Sequence, residues 1–142
     1  MIDKFCDGNE LLAIVIRRDF TAQGIEFFTP DDFSQQLAYM KRPKAYDIPP
    51  HVHNFVKREV VLTQEVLYIK SGKVRVDFYN QDRVYRESTV LLAGDVILLA
   101  NGGHGFHMLE ESEIIEVKQG PYAGEQDKVR FSPVSEDKVV VK

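Results

Sequence analysis

Apolar and polar residues alternate in short runs along most of the chain between residues 45 and 131. The clearest runs are residues 65–70 and 74–79, and the glycine at position 72 stands between them. Such alternation places one face of a β-strand in the core and the other face in water. We therefore predict two strands that pair as a hairpin, with Gly72 in the turn.

The same kind of pattern continues towards the C-terminus. Residues 88–92 and 112–118 have the composition of strands, and residues 93–95 that of a turn. Residues 96–100 are apolar without alternation, which indicates a strand buried on both faces. Many short strands with turn signals between them are typical of an antiparallel sandwich or barrel, so we predict an all-β fold.

The two ends of the chain have a less regular pattern. Residues 11–16 and 24–28 are typical of strands. Residues 29–32 have the cap, the proline and the acidic residues of a helix start, whereas residues 36–40 are also compatible with a strand. Both alternatives stay open for this stretch. The half-charged tail from 132 to 142 is either an added edge strand or a free end.

The composition is typical of one soluble globular domain that covers residues 1–142. Hydrophobic residues make up 44% and charged residues 28% of the chain. The formal net charge is −4 and the 18 basic residues are spread among 22 acidic ones, so we expect no nucleic-acid partner. No apolar run approaches the length of a membrane helix, and the first residues do not look like a secretion signal, so we expect no membrane partner. A single cysteine agrees with a cytoplasmic location.

Two histidines two residues apart, His51 and His53, are the first candidate metal ligands. On an extended strand their imidazoles point to the same side, where a carboxylate from a neighbouring strand can join them around a divalent cation. Glu65 is the candidate carboxylate, because it shares a strand face with the apolar positions 67 and 69, and an unpaired carboxylate facing a core is costly. Glu59, which is closer to His53 in sequence, is the rival ligand. The alternative interpretation is a surface loop with two solvated histidines.

The candidate fourth ligand lies in the glycine-flanked stretch 102–106. His104 shares a strand face with Phe106, whereas His107 faces the opposite way, so His104 is the better candidate. Imidazole and carboxylate ligands suit a divalent transition metal, which we expect to be iron, manganese, nickel or zinc. The predicted metal ligands are His51, His53, Glu65 and His104.

The order of these residues resembles the two sequence motifs of the cupin superfamily, small β-barrels in which three histidines and one glutamate bind a metal. The resemblance covers about residues 45–131, and residues 94–130 are similar to single-domain cupins of largely unassigned activity. Two spacings differ from the family pattern: eleven residues separate His53 from Glu65, and His104 comes one residue early. The residues that carry the resemblance are His51-Val-His53, Glu65 with Gly72, and Gly94-Asp95 with His104-Gly-Phe106.

The resemblance implies a cupin-type double-stranded β-helix, or jelly-roll, barrel with the N-terminal strands added to its sheet. It implies a mononuclear metal site that acts on a small polar metabolite, a sugar or a hydroxy or keto acid, with the metal as Lewis acid or oxygen-binding centre. Two other classes also occur among cupins: a non-catalytic small-ligand binding or sensing barrel, and a metal-free sugar isomerase or epimerase in which a histidine is the general base. Whether the chain is an enzyme stays open at this point.

Two further expectations concern the surface of the molecule. Lys118, Tyr122 and Arg130 are either substrate contacts or solvated side chains, and the solvated interpretation is preferred. Small barrels with free edge strands often pair through them, and the N-terminal strands offer such an edge. We therefore expect a homodimer.

Overall fold

The fold is built from ten β-strands, which confirms the prediction of an all-β chain. The computed structural model describes all residues from 1 to 142. Two short 3₁₀ helices lie at Gly124–Asp127 and Glu136–Lys138, and no helix is long and apolar enough to cross a membrane. In chain order the strands are β1 (Ile2–Asp7), β2 (Glu10–Ile16), β3 (Gly24–Phe27), β4 (Ala38–Lys41), β5 (Glu65–Ser71), β6 (Lys73–Tyr79), β7 (Tyr85–Leu92), β8 (Val96–Leu99), β9 (Gly103–Met108) and β10 (Glu113–Lys118).

The strands form three sheets, all with antiparallel pairing between their strands. The five-stranded sheet has the order β1-β2-β8-β5-β10, the three-stranded sheet has the order β7-β6-β9, and β3 pairs with β4 alone. Of the predicted N-terminal strands, β2 joins the larger sheet by pairing with β8, which places Ala13 opposite Leu99, whereas β3 pairs only with β4. No sheet closes on itself, and β9 and β10 each pair on one side only, so the structure stops short of the closed jelly-roll barrel.

A single apolar core joins the two larger sheets. Its twelve buried side chains come from β1, β2, β5 and β8 on one side and from β6 and β7 on the other. Ile69, Val76 and Ile97 are fully buried, and the ring centroids of Phe5 and Phe78 lie 4.6 Å apart. Each large apolar side chain of this kind stabilises the packed sheets by about 1.5–3 kcal/mol, because its surface is removed from water.

At Gly72 the chain passes from one sheet to the other. β5 pairs with β8 and β10, whereas β6 pairs with β7 and β9. The predicted hairpin is therefore wrong, although both strands and the turn are present. Gly72 has a φ of +85°, and a side chain there would collide with the carbonyl oxygen of Glu111 and with Ser112. Alternation predicts which face of a strand is buried, but it does not predict which strand pairs with it. Here β5 and β6 face the same core from opposite sheets.

The stretch after β3 resolves the alternatives left open by the sequence. Residues 29–32 contain a turn and no helix, and the hydroxyl of the buried Thr29 is hydrogen-bonded to Gln36 Oε1 at 2.8 Å. Residues 38–41 form β4, so the strand interpretation is confirmed. The apolar run that begins at residue 96 forms β8, which lies between β2 and β5 as a strand buried on both faces would.

A buried ion network fastens the C-terminal tail to the face of β6 that points away from the core. Arg75 donates hydrogen bonds to Asp77 at 2.8 Å and to both carboxylate oxygens of Glu136 at 2.7 and 2.9 Å. The bonds to Glu136, followed by those to Asp77, raise the pKa of Arg75. Ser88 donates to the same Asp77 and pairs in parallel with Val141. The tail is therefore held against the edge of β7.

We predict that Gly72→Ala destabilises the fold by about 1–3 kcal/mol more than Gly8→Ala does. Both glycines have a positive φ, so alanine carries the same conformational cost of about 1–2 kcal/mol at either position. At Gly72 the added methyl group also meets the backbone of the turn at Glu111 and Ser112. At Gly8 nothing lies within 4 Å of an added side chain. Urea unfolding followed by circular dichroism measures the difference. Equal midpoints for the two variants would contradict the close approach at Gly72.

A second prediction concerns the ion network of the tail. Arg75→Met should lower the free energy of unfolding by about 3 kcal/mol or more, because it leaves the buried Asp77 carboxylate without its cation. Arg130→Met is the matched control, since the Arg130 side chain is 71% exposed in its pair with Glu125. The control should unfold at the wild-type urea concentration. Equal midpoints for Arg75→Met and wild type would show that the buried pair adds nothing to stability.

Candidate functional site

A cavity of about 660 Å³ opens between the two larger sheets at the β9 edge. It is bounded by β9, the start of β5, the turn after β6 and the segment from 127 to 133. The tail network described above begins a few residues beyond this segment. Residues 127–133 form one wall of the cavity. The position of this wall therefore depends on the bonds between Arg75 and Glu136, which lie on the face of β6 that points away from the core.

Glu65 and His104 meet at the cavity wall. The His104 Nε2 lies 3.2 Å from the Glu65 Oε2, and the Glu65 side chain is only 12% exposed. The hydrogen bond from His104 holds the pKa of Glu65 below its ordinary value of 4.5, although burial acts in the opposite direction. Because β5 and β9 belong to different sheets, this pair bridges the two halves of the sandwich.

Lys118 contacts the second oxygen of the same carboxylate. Its Nζ lies 3.5 Å from the Glu65 Oε1 and 3.2 Å from the Asp127 Oδ2. Thr63 donates a hydrogen bond to Asp127, and this bond, followed by the one from Lys118, lowers the pKa of Asp127. The bond to Asp127 in turn raises the pKa of Lys118. The two oxygens of Glu65 are thus occupied by an imidazole and an ammonium group.

The interpretation of Lys118 as a solvated side chain is wrong. Lys118 lies directly opposite Glu65 in the β5–β10 register. The two residues are far apart in sequence, and only the pairing of these strands brings them together. The alternation in residues 113–118 showed on which face of the strand Lys118 lies. It could not show that Glu65 lies opposite, because cross-strand contacts depend on which strand is the partner.

His51 and His53 lie outside this cluster. They stand in the segment between β4 and β5, which forms no strand, and both are exposed. Their ring centroids are 5.3 Å apart, and the His51 Nδ1 lies 3.0 Å from the carbonyl oxygen of Pro49. The rival ligand Glu59 is exposed in the same segment. The strand on which both histidines would point to one side is absent.

The four predicted metal ligands therefore form two separate pairs. Glu65 and His104 are together at the cavity, whereas His51 and His53 are not part of its lining. No group of three or more histidine, cysteine, aspartate or glutamate side chains in the structure is arranged to hold a metal ion. The residues of one chain do not fit a four-ligand centre, and the transition metal stays a prediction.

His104 and His107 lie on opposite faces of β9. His104 lines the cavity, and its ring centroid lies 5.5 Å from that of Phe106. His107 is opposite Arg75 in the β6–β9 register. The hydrogen bond from Arg75 lowers the pKa of Glu136 in the tail network, and His107 adds a smaller effect in the same direction. His107 therefore faces the tail, and His104 faces the cavity.

Arg83 adds a fixed positive charge to the cavity. It has a φ of +64°, which is rare for an arginine, and Asn80 holds this turn with hydrogen bonds from the amides of Asp82 and Val84, both at 3.0 Å. The guanidinium carbon lies 5.9 Å from the ring centroid of Phe131. Strained backbone of this kind is concentrated at binding and catalytic sites. Nothing in the sequence pattern marked Arg83 as a site residue.

The comparisons with known proteins do not extend this picture. The chain matches no protein-family model, no curated protein and no solved structure. The resemblance to cupins stays a prediction, and the functional argument depends on the geometry of the cavity.

The pKa of Glu65 leads to a test of the pair. Because the folded-state pKa lies below the ordinary value of 4.5, ionised Glu65 stabilises the fold above pH 4.5, and this stabilisation is lost as the pH falls through the lowered pKa. Glu65→Gln should therefore be less stable than wild type at about pH 7, and the difference should close at about pH 3. Urea unfolding at both pH values measures it.

The matched control for this test is Glu110→Gln. Glu110 is an exposed carboxylate in the turn after β9 and takes part in no ion pair. This variant should follow wild type at both pH values. A difference between Glu65→Gln and wild type that does not change with pH would contradict the assignment to the Glu65 charge.

Proposed function

We propose that this chain binds a small, negatively charged, hydroxylated metabolite in the cavity and moves a proton on it. One observation carries the proposal: an imidazole, His104, is held by a carboxylate at 3.2 Å on the wall of a cavity of about 660 Å³. A cavity of this volume accepts a ligand the size of a sugar acid or a sugar phosphate. The ligand class agrees with the sugar or hydroxy or keto acid expected from the sequence.

Two cations and one carboxylate of the cavity lining take part in no ion pair, and this excess of positive charge favours an anion; the carboxylate is Glu116. Arg83 lines the cavity without an ion pair to any carboxylate of the chain, and Lys128 adds a second positive charge. A guanidinium group presents a planar set of donors that matches a carboxylate or a phosphate. The rings of Phe106 and Phe131 offer apolar faces for the carbon skeleton of the ligand. Arg83 thus binds the anionic group, and the rings hold the rest of the metabolite.

The His104–Glu65 pair supports proton transfer. The carboxylate orients the imidazole through its Nε2 and leaves the Nδ1 for the ligand. With a hydroxy-carbonyl ligand, His104 takes the proton from the carbon beside the carbonyl, and the electron pair of that bond forms a carbon–carbon double bond as the carbonyl oxygen becomes negative. The hydroxyl proton then passes from the neighbouring oxygen to the negative oxygen. Return of the carbon-bound proton to the former carbonyl carbon makes the neighbouring carbon the new carbonyl, so the isomerisation needs no other reactant.

The other two classes from the sequence are tested by the same experiment. A non-catalytic binding barrel would share the cavity and the anion site but would leave the ligand unchanged. A cupin-type barrel with a transition metal on His51, His53, Glu65 and His104 requires the His51–His53 pair to converge with the Glu65–His104 pair. In a single chain they lie apart, so proton transfer by His104 has the stronger support.

Solvent deuterium exchange tests the proposed activity. The protein is incubated in heavy water with fructose 6-phosphate and glucuronate in turn, and loss of the carbon-bound proton is followed by nuclear magnetic resonance. We expect exchange with at least one of these compounds, and we expect His104→Ala to slow it about 100-fold or more. His107→Ala is the matched control and should exchange at the wild-type rate, because His107 lies on the opposite face of β9.

The same samples separate binding from catalysis. Arg83→Gln should weaken binding of the exchanging compound about 10-fold or more, because it removes a charged donor to the anionic group. Binding to wild type without exchange would identify the non-catalytic barrel. Exchange in His104→Ala at the wild-type rate would exclude His104 as the base.

A further inference from the structure

The segment from 42 to 62, which we name the arm, is apolar but makes no contact that buries it. Every one of its residues is exposed. Val52, Phe55 and Val61 are each at least 89% exposed. The hydrogen bonds that the arm makes, from Tyr46 to Pro43 and between His51 and Pro49, stay within it. A run of large apolar side chains fully in water is unstable unless a partner covers it.

The chain exposes more accessible surface than a compact monomer of the same mass. A compact monomer of this mass has an accessible surface of about 7,500 Å². The chain, at 16.3 kDa, exposes 9948 Å². The excess of about 2,400 Å² is larger than the area of about 800 Å² that each partner buries in a standard stable interface. The arm is thus long enough and apolar enough to form an interface by itself.

The same chain carries two free sheet edges of matching character. β9 and β10 each pair on one side only. Exposed apolar side chains stand on them: Phe106, Met108, Ile115 and Val117. An extended segment can add to such an edge by backbone hydrogen bonds while its side chains cover the apolar positions.

The charges of the arm and of this edge are complementary. Four basic residues lie in the arm against two acidic ones, Asp47 and Glu59. Residues 108–116, which join the two free edges, contain four glutamates and no basic residue. Opposite charges of this kind favour the association and fix its register.

We propose that the arm of one chain docks on the free β9 edge of a second copy, and that the arm of the second copy docks on the first. A two-fold dimer satisfies both arms and both β9 edges at once, so neither arm is left free to bind a third copy. The arm can span up to about 70 Å when extended, and two prolines at 49 and 50 favour an extended path. Docking follows from the arm and the β9 edge whether or not the chain carries out the proposed reaction.

The docked arm has a consequence for the cavity. His104 and Phe106 lie on β9, so a strand added beside them forms the missing wall of the cavity. His51 and His53 then belong to the cavity of the partner rather than to that of their own chain. The site of one chain is completed by the other.

The mass in solution tests the proposal first. Wild type at micromolar concentration should have twice the mass of one chain in sedimentation equilibrium. The double variant Val52→Ser/Phe55→Ser should raise the dissociation constant of the dimer about 100-fold or more, because both side chains lose their apolar cover. These residues contact nothing within their own chain, so the variant should keep the wild-type circular dichroism spectrum.

The control for this variant removes a matched aliphatic and aromatic pair elsewhere. Val84 and Tyr122 are 51% and 93% exposed and lie on neither the arm nor the free edges. Val84→Ser/Tyr122→Ser should remain a dimer. A monomeric wild type overturns the proposal, as does a dimer that the arm variant leaves intact, which would point to the N-terminal strands.

Cross-linking separates docking on a second copy from folding back on the same chain. Cys6 is replaced by serine, and Phe55→Cys and Met108→Cys are made in separate chains of this background. Mixed and treated with a short bismaleimide, the two chains should give a product of twice the chain mass that neither gives alone. In a chain that carries both cysteines, an internally linked monomer as the main product would overturn the proposal.

Discussion

Burial of Ile69, Val76 and Ile97 between the two larger sheets holds Glu65 and His104 at hydrogen-bond distance. The two residues belong to strands of different sheets that share no backbone hydrogen bond, so the packing of the sheets sets their separation. A core packed at crystal-like density resists small shifts, because each displaced methyl group loses contacts on several sides. The position of the imidazole is therefore a property of the apolar core.

Polar contacts fix the parts of the cavity that the core does not reach. The segment from 127 to 133 has no strand of its own, yet it is held at both ends. Asp127 binds Lys118 and Thr63, and the tail beyond the segment is tied through Glu136 to the buried Arg75. Arg75 and Asp77 are both nearly covered, which makes their charges effective where an exposed pair would be screened. The wall of the cavity thus depends on ion pairs, of which only the Arg75–Asp77 pair has little access to water.

The arm differs from the rest of the molecule in both composition and surroundings. The sheets contain their apolar residues in a common core, whereas the arm exposes its own. His51 and His53 lie in the arm, so their role is tied to the surface on which the arm rests. A site that depends on two chains can respond to protein concentration, because dissociation removes part of its wall. The cavity and the oligomeric state are then linked by the same segment.

The sequence by itself determined most of the strands and the face that each presents to the core, although β1 was not predicted. Alternation in residues 65–70 and 74–79 marked β5 and β6, and the same phase placed Glu65 towards the core and His104 on the face of Phe106. These features are local, because the side-chain period of a strand follows from its backbone alone. The turn glycine at position 72 was visible for the same reason.

Only the tertiary structure decided which strands pair and which charges meet. The hairpin expected around Gly72 became a passage between two sheets, since a strand's pattern does not name its partner. Lys118 reached Glu65 through the β5–β10 register, and Arg83 reached the cavity through a strained turn. His51 and His53, the clearest motif in the sequence, stayed apart from Glu65. Residue spacing determines which side chains of one strand share a face. The cavity, in contrast, is built from segments that are distant in sequence, and only the packing of the core brings them together.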